Sequence, residues 1–224
     1  MKMLRSSILC FVIVLLAAPL LRSQDFSKYR HFTLGMSLNR VLERTEQKIA
    51  DVKVTHDRPA LIQELTWWPP SLPGTSLQSD AVEQILFSFY NGELYKISVT
   101  YDRSATEGLT AEDMVKSISE KYGPPTSDVP DFDFALNEPY VATQKPAASW
   151  EDSQSSFNLV RSSFSGVLGL VIYSKRVNAE ADLAIAEAAK LEKQDQPKIE
   201  AERQKKETDD LEAARQKNRK IFHP

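Results

Sequence analysis

The chain is poor in the residues that most often announce chemistry. Of its 224 residues, one is cysteine, three are histidine and seven are glycine. Cys10 lies inside an apolar N-terminal run, so the rest of the chain has no thiol, no disulfide and no thiolate metal site. His31, His56 and His223 are far apart and share no ligand spacing, which argues against zinc. No Gly-x-Ser-x-Gly elbow occurs and no Ser-x-x-Lys stands in a persuasive setting, so serine-based nucleophilic catalysis has no motif. Basic charge is also short. Residues 24–174 carry 13 Lys+Arg against 20 Asp+Glu, a net charge of −7, and residues 175–224 carry 12 against 11. With no basic stripe, nucleic acid is not an expected partner. The one long apolar run, residues 8–21, is 14 residues, less than the roughly 20 that a membrane helix needs.

What stands at the N-terminus reads as an export signal. Lys2 and Arg5 precede the apolar run, Ala17-Ala18-Pro19 interrupts it, and cleavage near Ser23-Gln24 fits the pattern. The rival is an uncleaved N-terminal anchor. Cys10 is inside the apolar segment and not after it, so it is a poor lipid acceptor. An exported protein without disulfides rests on its core, and about 150 residues of mixed structure can build one.

A weak internal repeat organises the rest. Gly35-Met36-Ser37-x-x-x-Val41 recurs 73 positions later as Gly108-Leu109-Thr110-x-x-x-Met114, and the turn Asn91-Gly92 recurs as Ser165-Gly166. Two landmarks at nearly one offset predict a supersecondary unit used twice. Each unit opens on a helix, capped by Ser37 or Thr110, with Leu38, Val41 and Leu42 or Met114, Val115, Ile118 and Tyr122 as its apolar stripe. Strands are expected near residues 52–55, 61–67, 83–90, 93–101, 147–152, 156–163 and 167–174. Asn91-Gly92 between two alternating runs is the strongest hairpin signal. Ile85, Phe87 and Phe89 share one face of it, as do Tyr95, Ile97, Val99 and Tyr101. The opposite face, apart from Leu86 and Tyr90, is expected to be wet. Asn178 is read as the cap of a third helix reaching about Lys193, with Leu183, Ala184, Ala188 and Leu191 as its docking stripe. Pro197 is read as its end, and the charged stretch beyond as a solvated helix.

The expected fold is α+β: a tandem pair of units, each a helix plus a three-stranded antiparallel sheet, followed by a long charged C-terminal helical tail. The boundaries are 1–23 for the signal, 24–103 and 104–176 for the units, and 177–224 for the tail. The Gly35-Met36-Ser37 opening resembles the small outer-membrane assembly lipoproteins of the SmpA/BamE type, where Gly-Met-Thr/Ser opens a helix and Gly-x-Pro follows it. Here Gly-x-Pro stands in the second unit, as Gly123-Pro124-Pro125. The tandem arrangement is similar to the β-lactamase inhibitory protein. These resemblances imply a helix-plus-sheet fold and a habit of binding proteins, and no functional residue is carried over.

Few residues point to a site. Trp67-Trp68-Pro69-Pro70 reads as an aromatic recognition patch or, as the blander and favoured reading, as one core Trp and one Trp covering the sheet edge. Leu86 and Tyr90, apolar on the wet face, belong with the patch. Asp128, Asp131 and Asp133, with Asn137 and Glu138, lack the glycine of a calcium loop and read as an acidic surface loop. Glu151 and Asp152 point to opposite faces of a strand and do not suit shared acid–base work. The expectation is an exported, non-catalytic module of the bacterial envelope, without cofactor or metal, that binds a protein through a sheet face or the loop after Trp67. Its binding residues would be Trp67, Trp68, Leu86 and Tyr90. The alternatives are a ligand-binding cleft between the repeats, lined by Tyr95, Tyr101 or Phe164, and a hydrolase with a scattered site.

Overall fold

Alternation of apolar and polar residues drives most of this chain into strands, and one sheet collects nearly all of them. The structure, a computed structural model, describes residues 25–70, 81–126, 144–162 and 168–221. In chain order its elements are β1 (Lys28–Tyr29), β2 (Phe32–Thr33), α1 (Leu38–Thr45), a 3-10 turn (Ile49–Asp51), β3 (Lys53–His56), β4 (Ile62–Trp67), β5 (Val82–Tyr90), β6 (Glu93–Tyr101), α2 (Ala111–Tyr122), β7 (Gln144–Glu151), β8 (Ser155–Ser162), β9 (Leu168–Ser174) and α3 (Lys175–Ile221). The signal, the acidic loop at residues 128–138, the Ser165-Gly166 turn, Phe164 and His223 lie outside the described residues.

The fold is α+β. Seven strands form an antiparallel sheet in the order β3-β4-β5-β6-β9-β8-β7. Asn91 and Gly92 both take positive φ, 50° and 80°, the backbone a tight hairpin turn needs, and they join β5 to β6. At the centre of the sheet β6 meets β9, with Ser98 opposite Val171 and flanked by Ile97↔Ile172 and Val99↔Leu170. Gly169 is required at this join, because a Cβ there would lie 2.5 Å from the Val99 carbonyl oxygen.

The inner face carries the main core. Leu65, Ile85, Phe87, Phe89, Leu94, Ile97, Leu159 and Ile172 are buried on it, under Leu38, Val41 and Leu42 of α1 and Met114 of α2. Each such large side chain contributes roughly 1.5–3 kcal/mol by leaving water. Of these two helices α2 is the better capped. Thr110 Oγ1 accepts from the Asp113 N–H at 3.2 Å and Asp113 Oδ2 accepts from the Thr110 N–H at 2.9 Å, a capping box. Those bonds to Thr110 hold the Asp113 carboxyl below its ordinary value. Ser37 stands at the cap position of α1 but makes no side-chain cap bond. Instead the Leu38 N–H donates to the Gly92 carbonyl at 2.9 Å, tying α1 to the β5–β6 turn.

That tie explains one departure from the expected alternation. Tyr95 does not share the face of Ile97 and Val99; it sits on the outer face with Ile62, Val177 and Ala181. The Leu94 N–H donates to the Met36 carbonyl and the Leu94 carbonyl accepts from the Gly35 N–H, both at 2.8 Å. The register shifts between Ser88↔Lys96 and Phe89↔Leu94. The extra residue of this bulge turns Leu94 inward and Tyr95 outward.

The outer face is not uniformly wet, because α3 lies on it. Ser88 is buried, and Tyr90 packs with Tyr95 and Val177. The helix begins at Lys175, directly after β9, and runs unbroken through Pro197. Asn178 is therefore not its cap; its side chain donates to Asp182 Oδ2 one turn on, at 2.8 Å. The buried stripe is Val177, Ala181, Ala184 and Ala188, and Leu183 faces solvent at 74% exposure. Small residues win these positions because they let the helix lie close on the sheet. Pro197 does not end the helix, since every residue from 196 to 221 is exposed and water can take up the carbonyl that the proline leaves without a partner.

Candidate functional site

The register of β4 decides where the tryptophans go. Leu65 pairs with Phe87 and Trp67 with Ile85, so Trp67 falls on the inner face. There it is half-buried and meets Phe32 edge-on, with ring centroids 5.7 Å apart at 67°. Trp68 leaves the strand and is 61% exposed. Leu86 and Tyr90 are on the opposite face, paired with Thr66 and Ile62, and Tyr90 joins the cluster under α3. The four residues thus occupy three places: Trp67 inside, Leu86 and Tyr90 outside, and Trp68 at the strand end. Tyr95 and Tyr101 are likewise on opposite faces, Tyr101 packing on the inner core, so they do not line one cleft.

Around Trp67 the β1–β2 hairpin and α1 converge with β4, which follows them at a distance in sequence. The β1–β2 hairpin buries Phe26, Tyr29 and Phe32 and presents Arg30 and His31 at its tip. Arg30 has φ of 52°, a left-handed backbone uncommon outside glycine, and its guanidinium lies 5.4 Å from the Tyr29 ring centroid. Arg44, in the last turn of α1, donates through Nη1 to the His31 carbonyl. Together Arg30, His31, Phe32, Arg44 and Trp67 line an open cavity of about 460 Å³. None of the five is acidic, although the net charge of residues 24–174 is −7. Beside this group the Tyr101 phenol is pushed far above its ordinary range, first by burial and then by Tyr29, with Arg30 opposing. The site offers planar cationic donors over aromatic walls, a set suited to binding an anion with an apolar body.

A second polar region fastens α3. His56 Nδ1 lies 2.9 Å from Glu192 Oε1, and Arg58 pairs with Asp195. The Arg58 side chain holds Asp195 below its ordinary value and is itself raised by that pair. Nearer the start of the helix, burial raises Asp182, against the pull of Lys96 and the bond from Asn178. Among the described residues no group of three or more His, Cys, Asp or Glu side chains gathers to hold a metal, and no helix is long and apolar enough to cross a membrane.

Sequence reasoning found Trp67 and Trp68 but missed Arg30, Phe32 and Arg44, and read His31 only as an isolated histidine. The available signal was the spacing of Phe26, Tyr29 and Phe32, which marks a buried aromatic stripe ahead of Gly35. A family model described as the TP0088 domain matches residues 27–180. The chain belongs to the TP0088 domain family. The matched TP0088 region takes in the whole sheet, the cavity around Trp67 and the first turns of α3, and it stops before Glu192, Asp195 and the exposed end of the helix. Among solved structures, a cysteine-rich secretory protein from Staphylococcus aureus subsp. aureus Mu50 is similar at a TM-score of 0.36 and 10% identity. The likeness covers 67% of this chain and 46% of that one, so it spans under half of that protein's length. No curated protein matches the chain.

Proposed function

We propose that this TP0088 domain protein is an exported, non-catalytic binding module of the bacterial envelope, made of two helix-plus-sheet units, and that it meets a protein partner through the end of β4. The observation that carries the reading is Trp68. It is a large aromatic at 61% exposure, and its chain neighbour Trp67 lines a basic, aromatic cavity. Tryptophan and arginine are both enriched at binding hot spots.

The two-unit reading rests on local geometry. Gly35 and Gly108 have φ of 87° and 80°, and each stands three residues before the first residue of a helix. The pairs that flank Ser98↔Val171 exchange with one another under the same 73-residue offset, Ile97 with Leu170 and Val99 with Ile172. This is the register expected of two units related by an approximate twofold axis through the β6–β9 join. The export part of the reading rests on the N-terminal pattern.

Affinity capture from an envelope extract with the mature protein tests the reading. A partner held at physiological salt and lost on Trp68→Ala is the expected result. No Trp68-dependent capture overturns it.

A further inference from the structure

The cavity at the end of β4 allows its ligand to be described more closely, on the proposal that this end of the molecule binds. We propose that the cavity lined by Arg30, His31, Phe32, Arg44 and Trp67 is a carboxylate site, taking a singly charged acid that carries an aromatic or bulky apolar body.

Three observations lead there. The first is size: about 460 Å³ falls in the roughly 300–1,000 Å³ range of small-ligand pockets. That is room for one ring and its acid group. The second is the division of labour in the lining. Phe32 is 3% exposed and supports Trp67 edge-on, so the aromatic wall is fixed before any ligand arrives. Arg44 is exposed and spends a donor on the His31 carbonyl. That bond orients a planar group with five N–H donors, a geometry that matches the two oxygens of a carboxylate. The third is what lies behind Arg44. The nearest helix end is the C-terminal end of α1, where the carbonyls give partial negative charge. Phosphate sites use the other end of a helix, with its free N–H groups. A single negative charge held by guanidinium suits this place, and a dianion does not.

An aromatic acid reaches such a pocket either as the end of a protein chain or as a free compound, and the experiment separates the two. The full-length mature protein is titrated by calorimetry with N-acetylphenylalanine, with N-acetylphenylalanine methylamide and with phenylacetate. The expected result is that N-acetylphenylalanine binds at least tenfold more tightly than its uncharged amide. Arg44→Gln is expected to reduce the acid to the level of the amide, and Arg44→Lys to keep part of the difference. Circular dichroism confirms that both variants fold. A preference for the acetylated residue over phenylacetate assigns the site to a chain end; the reverse keeps the carboxylate site and assigns it to a free acid. Equal binding of acid and amide, no binding at all, or indifference to Arg44→Gln overturns the proposal. If the acid fails while Trp68-dependent capture persists, the carboxylate site falls and the protein-binding reading stands. If the acid binds and capture is absent, the reverse holds.

Discussion

The two halves of α3 follow different rules. From Val177 to Ala188 the helix turns small residues to the sheet, and Ala181 is completely buried against Ile62 and Tyr95. From residue 196 to Ile221 every residue is exposed, and its side chains pair with near neighbours along the helix, such as Arg203 with Glu200 at 2.9 Å. The docked half is helical because packing holds it. The projecting half is helical through propensity and pairs worth only a few tenths of a kcal/mol each. One continuous element thus contains a structural part and an appendage, and the boundary falls at the pairs His56–Glu192 and Arg58–Asp195.

The comparison breaks most readily at the docked stripe. Ala181→Phe places a ring where the sheet leaves no room and should cost about 2–3 kcal/mol of global stability, in the overpacking range. Leu183→Glu, two residues away and 74% exposed, should stay within about 0.5 kcal/mol. Urea unfolding of the pair measures both, and equal losses would mean that the stripe has been assigned to the wrong face.

A smaller effect is expected at Asp182. Burial raises its folded pKa above the ordinary value of 3.8, so its ionised form opposes folding. The stability it permits is complete below 3.8 and is lost as pH rises through the folded value. Asp182→Asn should therefore gain stability at pH 7, by less than about 1 kcal/mol because solvent screens a half-exposed group, and gain nothing near pH 3. A pH series of melting curves on both proteins checks the sign.

Asp195 runs the other way. Arg58 lowers its folded pKa, so the pair fastens the helix above 3.8 and releases it as pH falls through the lower folded value. With the intrinsic pH dependence of exchange divided out, the hydrogen-exchange protection of the amides around residues 188–195 should fall in acid, and Asp195→Asn should remove that dependence. The smallest effect belongs to the projecting half. Ending the chain after Asp195 should leave the melting temperature of the rest unchanged, as calorimetry would show.

Local chemistry made much of this fold readable. The β5–β6 hairpin follows from Asn91-Gly92 between alternating runs, and β9 from an apolar run that only a covered strand accommodates. The cap position at Thr110 and the start of α2 are read from four residues. The unreadable parts depend on partners distant in sequence. Tyr95 changes face because Leu94 bonds to Gly35 and Met36, which the alternation of β6 does not reveal. Pro197 passes as a stop in sequence and is tolerated because that stretch is bathed in water. At the candidate site Trp67 and Trp68 were visible as types. The cavity was not, because Arg30, Arg44 and Trp67 come together only when the hairpin, α1 and β4 pack.

The passage of α3 through Pro197 also gives the molecule an angular coordinate. Beyond Asp195 each residue advances the helix by about 1.5 Å and turns it by about 100°, so the tip stands roughly 40 Å out and faces a direction set by residue count. Removing one residue there would swing everything beyond it by about a quarter turn, whereas removing seven would shorten the arm by roughly 10 Å and nearly restore its heading. Anything that grips the tip while the sheet is held elsewhere would feel the difference between those two deletions, as a key feels the cut of its blade.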